Sequence, residues 1–144
     1  MAIPVQEKRF DYKGFPCVVL FMYMGYRCGY VGIPKGHKYY KKSYIDIPID
    51  CHCGLTYSKK DLYSQSDKDT WWIGFDCAHA CDGYDFETAK KLYAEDSEAM
   101  GSILSLEQIG YYKICNEDNP IRTLDYCIEQ CKRIVEQILS EVGK

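Results

Sequence analysis

Apolar positions crowd the first third of the chain at spacings that fit strands. Residues 15–24, Phe-Pro-Cys-Val-Val-Leu-Phe-Met-Tyr-Met, are almost wholly apolar and too short for a free-standing helix. They predict a central strand covered on both faces. A shorter strand over 9–12 precedes it across Lys13-Gly14, and residues 28–33 return as an antiparallel partner after a turn at 25–27. Pro34 should end that strand, because it has no N–H for the ladder. Ile45, Ile47 and Ile49 alternate with Asp46, Pro48 and Asp50, the period of a half-exposed strand, with Pro48 near an edge. Gly54 then permits a bend, and 59–69 is a polar connection. Trp71, Trp72, Ile73, Gly74 and Phe75 read as a buried strand that leaves the core into Asp76-Cys77-Ala78-His79-Ala80-Cys81-Asp82.

Helical spacing takes over after Gly83. Asp85 is a suitable cap for a short helix with Phe86, Ala89, Leu92 and Tyr93 on one face. Residues 100–119 are weakly patterned, with a helical turn near 105 passing into an extended segment and a turn at 116–120. In the tail, Thr123 is a good N-cap and Asp125 suits the first turn. Leu124, Cys127, Ile128, Cys131, Ile134, Val135, Ile138, Leu139 and Val142 then form one stripe before Gly143 stops the helix. Such a stripe must be buried against a sheet or a partner chain. The expected architecture is α+β, an antiparallel sheet packed against a long C-terminal helix plus one shorter helix, in a single domain over 1–144.

Composition narrows the function. The 144 residues are 47% hydrophobic, enough for a core without crosslinks. A net charge of -3 argues against bulk nucleic-acid binding, which needs a basic face to neutralise phosphates. No opening stretch has signal length and no run approaches the ~20 apolar residues of a membrane helix, so the expected location is the cytoplasm. Nine cysteines, an odd count, are expected to be reduced, most of them packing in the core. The 14 tyrosines suit interfaces or pockets for flat ligands, or simply half-buried strands.

Three chemistries use the segment from Trp71 to Asp82. Two of the three histidines sit among cysteines, His52 between Cys51 and Cys53, and His79 between Cys77 and Cys81. A metal held by Cys51, Cys53, Cys77, His79 and Cys81 would need a turn or neighbouring strands, since residues two apart on a strand are about 6.5–7 Å apart. A thiol hydrolase would use Cys77 as nucleophile, His79 or His52 as base and Asp76 or Asp82 to orient the imidazole, with the strand breaking just before Cys77. A binding pocket would use Trp71, Trp72 and Phe75 for stacking, His52 and His79 for hydrogen bonds, and the basic loop for charge. That loop carries Lys35, His37, Lys38, Tyr39, Tyr40, Lys41 and Lys42. It is either an anion receiver or a solvated connection. Other enzyme signatures are missing, and no cofactor is implied.

The motifs Cys28-Gly29-Tyr30-Val31-Gly32-Ile33-Pro34-Lys35-Gly36-His37, His52 with Gly54-Leu55-Thr56-Tyr57-Ser58, and Trp71-Trp72-Ile73-Gly74-Phe75-Asp76-Cys77-Ala78-His79 with Asp82 resemble a family of small uncharacterised bacteriophage and prophage proteins. The chain departs from that pattern at Cys53 and Cys81, where glycine or another small residue is usual. The resemblance brings no established activity. It implies a phage or mobile-element accessory protein that acts stoichiometrically in the host cytoplasm. The expected function is to bind, and so sequester, a small anionic nucleotide-like ligand to counter host defence, with homo-oligomerisation as a further expectation. The alternatives are a Cys/His- or metal-dependent hydrolase and an inhibitor that covers a host defence protein.

Overall fold

A computed structural model describes residues 3–63, 65 and 69–141. Five strands, β1 (Val5–Tyr12), β2 (Phe15–Met22), β3 (Tyr26–Pro34), β4 (Tyr57–Lys59) and β5 (Thr70–Asp76), form one antiparallel sheet in the order β1-β2-β3-β5-β4. Among the described residues four helices follow, α1 (Phe86–Leu92), α2 (Ser97–Gln108), α3 (Tyr111–Asn116) and α4 (Leu124–Glu141). The expected α+β arrangement of sheet and C-terminal helix is present.

Local chemistry explains the hairpins. Lys13 and Gly14 take φ of 48° and 90°, the paired left-handed conformations that match strand twist in a two-residue turn. β2 is covered on both faces, as its apolar run predicts. On one face Val19, Val31, Ile33, Ile73 and Phe75 pack with Cys127, Cys131, Ile134, Val135 and Ile138 of α4. On the other, Val18, Leu20, Tyr30 and Trp72 gather with Leu62. Burying each large aliphatic side chain of α4 contributes about 1.5–3 kcal/mol before entropy is counted. Gly29 sets the approach of that helix. A Cβ there would stand 2.4 Å from the Phe75 ring and 3.0 Å from Cys131 Sγ.

The tail helix starts as its sequence predicts, with Thr123 Oγ1 accepting from Tyr126 N at 3.1 Å. Its stripe is narrower than the pattern suggested, because Leu139 is exposed. Val142 and Gly143 lie outside the described residues, as does part of the 59–69 connection.

Two expectations are corrected. Residues 45–49 form no strand. Ser43 Oγ accepts from Ile45 N and caps a 3₁₀ turn, Tyr44–Asp46, while Pro48 has no N–H to give. Ile45 is exposed, and Ile47 and Ile49 still enter the core. The one shorter helix becomes three, because 97–116 is helical. Asp96 caps α2 by accepting from Ala99 N at 3.0 Å, and Gly110, at φ 79°, divides α2 from α3. Only Ala99 and Ile103 of α2 are fully withdrawn from water, so its sequence carries little period.

Candidate functional site

The site forms where β5 runs out. Cys77 N still donates to Arg27 O at 2.9 Å, after which the chain turns away from the sheet. Asp76 Oδ1 accepts from Ala78 N at 3.1 Å, and Asp82 Oδ2 accepts from His79 N at 3.0 Å. These side chains replace the lost ladder bonds and fix the turn from 79 to 82. A second loop faces it. Cys53 and Gly54 are both left-handed, at φ 55° and 84°, and His52 N donates to Gln130 Oε1 of α4 at 2.8 Å. Sheet end, loop and helix thus converge.

His52 is the centre of the cluster and is nearly withdrawn from solvent. Its Nδ1 lies 2.7 Å from Tyr126 Oη, and its Nε2 lies 3.0 and 2.9 Å from the two oxygens of Asp82. Asp82 is buried and also accepts from Arg122 Nε at 2.8 Å. Burial opposes ionisation of Asp82, but the hydrogen bonds from His52, Arg122 and the His79 backbone prevail and hold its carboxyl below the usual value. Cys53 Sγ lies 3.8 Å from His52 Nε2 and 3.9 Å from Cys81 Sγ. Local desolvation, and then the neighbouring Cys81 thiol, push the Cys53 thiol up. His79 Nδ1 stands 3.4 Å from Asp82 Oδ2 and 3.6 Å from Asp76 Oδ1, yet this buried nitrogen makes no hydrogen bond.

The donor atoms of His52, Cys53 and His79 all lie within 4.8 Å of one another. A thiolate and an imidazole on one tetrahedral zinc, at about 2.3 and 2.0–2.1 Å from it, stand roughly 3.5 Å apart. The 3.8 Å between Cys53 and His52 is close to that spacing. For Nε2 of His52 to coordinate, its proton must sit on Nδ1, where the Tyr126 oxygen accepts it. Asp82 would keep its bonds from Arg122 and His79 N.

The structure redistributes the residues singled out in the sequence. Cys77 lies in the core rather than in the cluster. It is fully buried with its sulfur 3.8 Å from Cys127, and that hydrogen bond, with burial, pushes its thiol far up. Cys51 also belongs to the core, its thiol pushed up to about 12 by burial. Of the five residues that the sequence offers for a metal, Cys53 and His79 belong to the cluster, Cys81 borders it through its contact with Cys53, and Cys51 and Cys77 do not reach it. His52 joins Cys53 and His79. Trp72 and Phe75 are buried on opposite faces of the sheet.

The basic loop gathers elsewhere. Lys35 N donates to Asp69 O, and half-buried Trp71 donates from Nε1 to Lys42 O at 2.9 Å, with Tyr40 against its ring. Lys35, His37, Lys38, Tyr39, Tyr40, Lys41 and Lys42 therefore sit by the start of β5, with Tyr39 packed into the core. The five residue steps from Trp71 to Asp76 span roughly 17 Å. That length of strand separates the loop from His52 and His79. Tyr126, Gln130 and Arg122 were absent from the sequence expectation. Their one signal is that Tyr126 and Gln130, four apart, flank the apolar stripe of α4 on the same side.

Comparison with protein-family models, curated proteins and solved structures finds no match. Among the described residues, no helix is long and apolar enough to cross a membrane.

Proposed function

We propose that this protein holds a zinc-class divalent cation through His52 Nε2, Cys53 Sγ and His79 Nδ1, and that the cation is where it takes a small anionic ligand. One observation carries the reading: a ring nitrogen of His79, whose buried Nδ1 makes no hydrogen bond, lies within 4.8 Å of a second imidazole and a thiol. Mixed thiolate and imidazole donors favour zinc over the harder magnesium or calcium ions. Three protein ligands leave a fourth position for water or an anion. A divalent ion together with Arg122 offsets the Cys53 thiolate and the Asp82 and Asp76 carboxylates beside it, so an anion would meet a neutral centre and bind through the open coordination position rather than through net charge. In the phage-accessory context that the motifs suggest, this supports stoichiometric binding of a phosphate-bearing, nucleotide-like ligand. The open fourth position also suits a metal-bound water, the basis of the hydrolase reading.

Native mass spectrometry of the reduced protein with zinc, before and after adding a nucleoside monophosphate, tests the reading. One zinc per chain, lost in His79→Ala, and a nucleotide adduct that requires the zinc are expected. Failure of the folded, reduced protein to retain zinc would remove the proposal. Return of the nucleotide without its phosphate would make the centre a hydrolase.

A further inference from the structure

Cys53 and Cys81 are the two exposed cysteines among the nine, and their sulfurs lie 3.9 Å apart. Cys17, Cys51, Cys77, Cys127 and Cys131 are packed in the core between sheet and helix. Both members of the pair sit outside regular structure. Cys53 is left-handed beside left-handed Gly54, and Cys81 lies in the turn closed by the Asp82 N to His79 O bond. Closing this contact to a disulfide requires roughly 2 Å of approach, and both residues lie in loops. Cys81 is outside the group formed by His52, Cys53 and His79; its sulfur faces Cys53 and, at 3.9 Å, Asp82 Oδ1. Cys53 therefore has two alternative partners, a cation and Cys81.

We propose that Cys53 and Cys81 form a thiol pair which a hydroperoxide oxidises to a disulfide, and that this disulfide releases the cation by withdrawing Cys53 from its ligands. The release rests on the metal reading above, whereas the pairing rests on the sulfur geometry. In the metal-loaded protein the Cys53 thiolate attacks the peroxide. With hydrogen peroxide, an S–O bond forms as the O–O bond breaks, giving a sulfenic acid and hydroxide. The Cys81 sulfur then attacks the Cys53 sulfur, the S–S bond forms, and the sulfenic oxygen leaves as hydroxide. The Cys81 proton converts one hydroxide to water. Two electrons pass from the sulfurs to the peroxide, and the cation leaves with one hydroxide in balance. The remaining imidazoles lack the anionic donor that held the ion, and a thiol reductant restores the site.

The test follows zinc, thiols and peptide masses together during hydrogen peroxide titration of the zinc-loaded protein. Release of one zinc per Cys53–Cys81 disulfide, with rebinding after dithiothreitol, is expected. Cys81→Ser keeps all three ligands and should bind zinc as the parent does. Without a resolving thiol its Cys53 goes on to sulfinic acid, so its zinc should be lost without recovery on reduction. Zinc retained in a protein whose Cys53–Cys81 disulfide has formed would overturn the release. Cys53 sulfinic acid beside a free Cys81 thiol in the parent protein would overturn the pairing. Absence of zinc from the reduced protein would overturn the metal reading and with it the release, while peptide mapping of the peroxide-treated chain would still decide the pairing.

Discussion

His52 and Asp82, thirty residues apart, meet at 2.9 Å with both side chains almost free of solvent, and Arg122 closes on the same carboxylate at 2.8 Å. This contact ties the loop after residue 50 to the turn after β5.

The pair makes stability sensitive to acid, with a definite sign. The folded carboxyl of Asp82 titrates below its ordinary value of 3.8, so on acidification the unfolded chain takes up the proton first. The stabilisation is therefore present above about pH 4 and is lost as pH falls through the folded value. Denaturant midpoints measured from pH 7 down to pH 2 should fall over that lower range. Asp82→Asn should start less stable and show a shallower fall. Parallel slopes in parent and variant would assign the acid sensitivity to other groups.

Tyr126→Phe removes the group that fixes the Nδ1 side of His52. Losing such an outer partner typically weakens a metal site about 10–100-fold. Zinc affinity, measured by competition with a chromophoric chelator, should fall by that order. The stability cost should be about 1 kcal/mol, that of one hydrogen bond.

The two cysteines closest to the opposing readings should behave differently. Cys77→Ala removes a buried sulfur and should cost about 1 kcal/mol through the small cavity left, with zinc binding retained. Cys53→Ala alters an exposed position and should leave the unfolding midpoint nearly unchanged while abolishing zinc binding. A loss of zinc confined to Cys77→Ala would return the chemistry to the strand end. Calorimetric titration beside thermal melts reads both quantities.

Lys38, Lys41 and Lys42 replaced together by alanine remove three positive charges from the loop at the far end of β5. At about 0.15 M salt the screening length is roughly 8 Å, well short of the strand length that separates loop and cluster. Zinc affinity and metal-dependent nucleotide binding should change less than about twofold. A tenfold loss of nucleotide affinity would bring the basic loop into the ligand site.

Local pattern was enough to read β2, β3, β5, the second half of β1 and the tail helix, but not β4. The unbroken apolar run in β2 required cover on both faces, Lys13-Gly14 required a tight turn, and Thr123 with the stripe behind it required a capped helix that packs on something. Short-range competition misled at 45–49, where a serine cap and a proline outweighed a two-residue alternation, and at 97–116, where capping holds helices whose buried face is narrow.

The sequence by itself determined that acid, thiol and imidazole crowd the point after Phe75 where a buried strand must leave the core. Only the tertiary structure decided which of them meet. Tertiary packing placed Cys51 and Cys77 in the core with α4 and left Cys53 and Cys81 at the surface. The same packing brought Tyr126, Gln130 and Arg122 to His52 and Asp82. Those contacts span 40 to 78 residues of chain, beyond the reach of any local period, so they exist only once the helix has docked on the sheet.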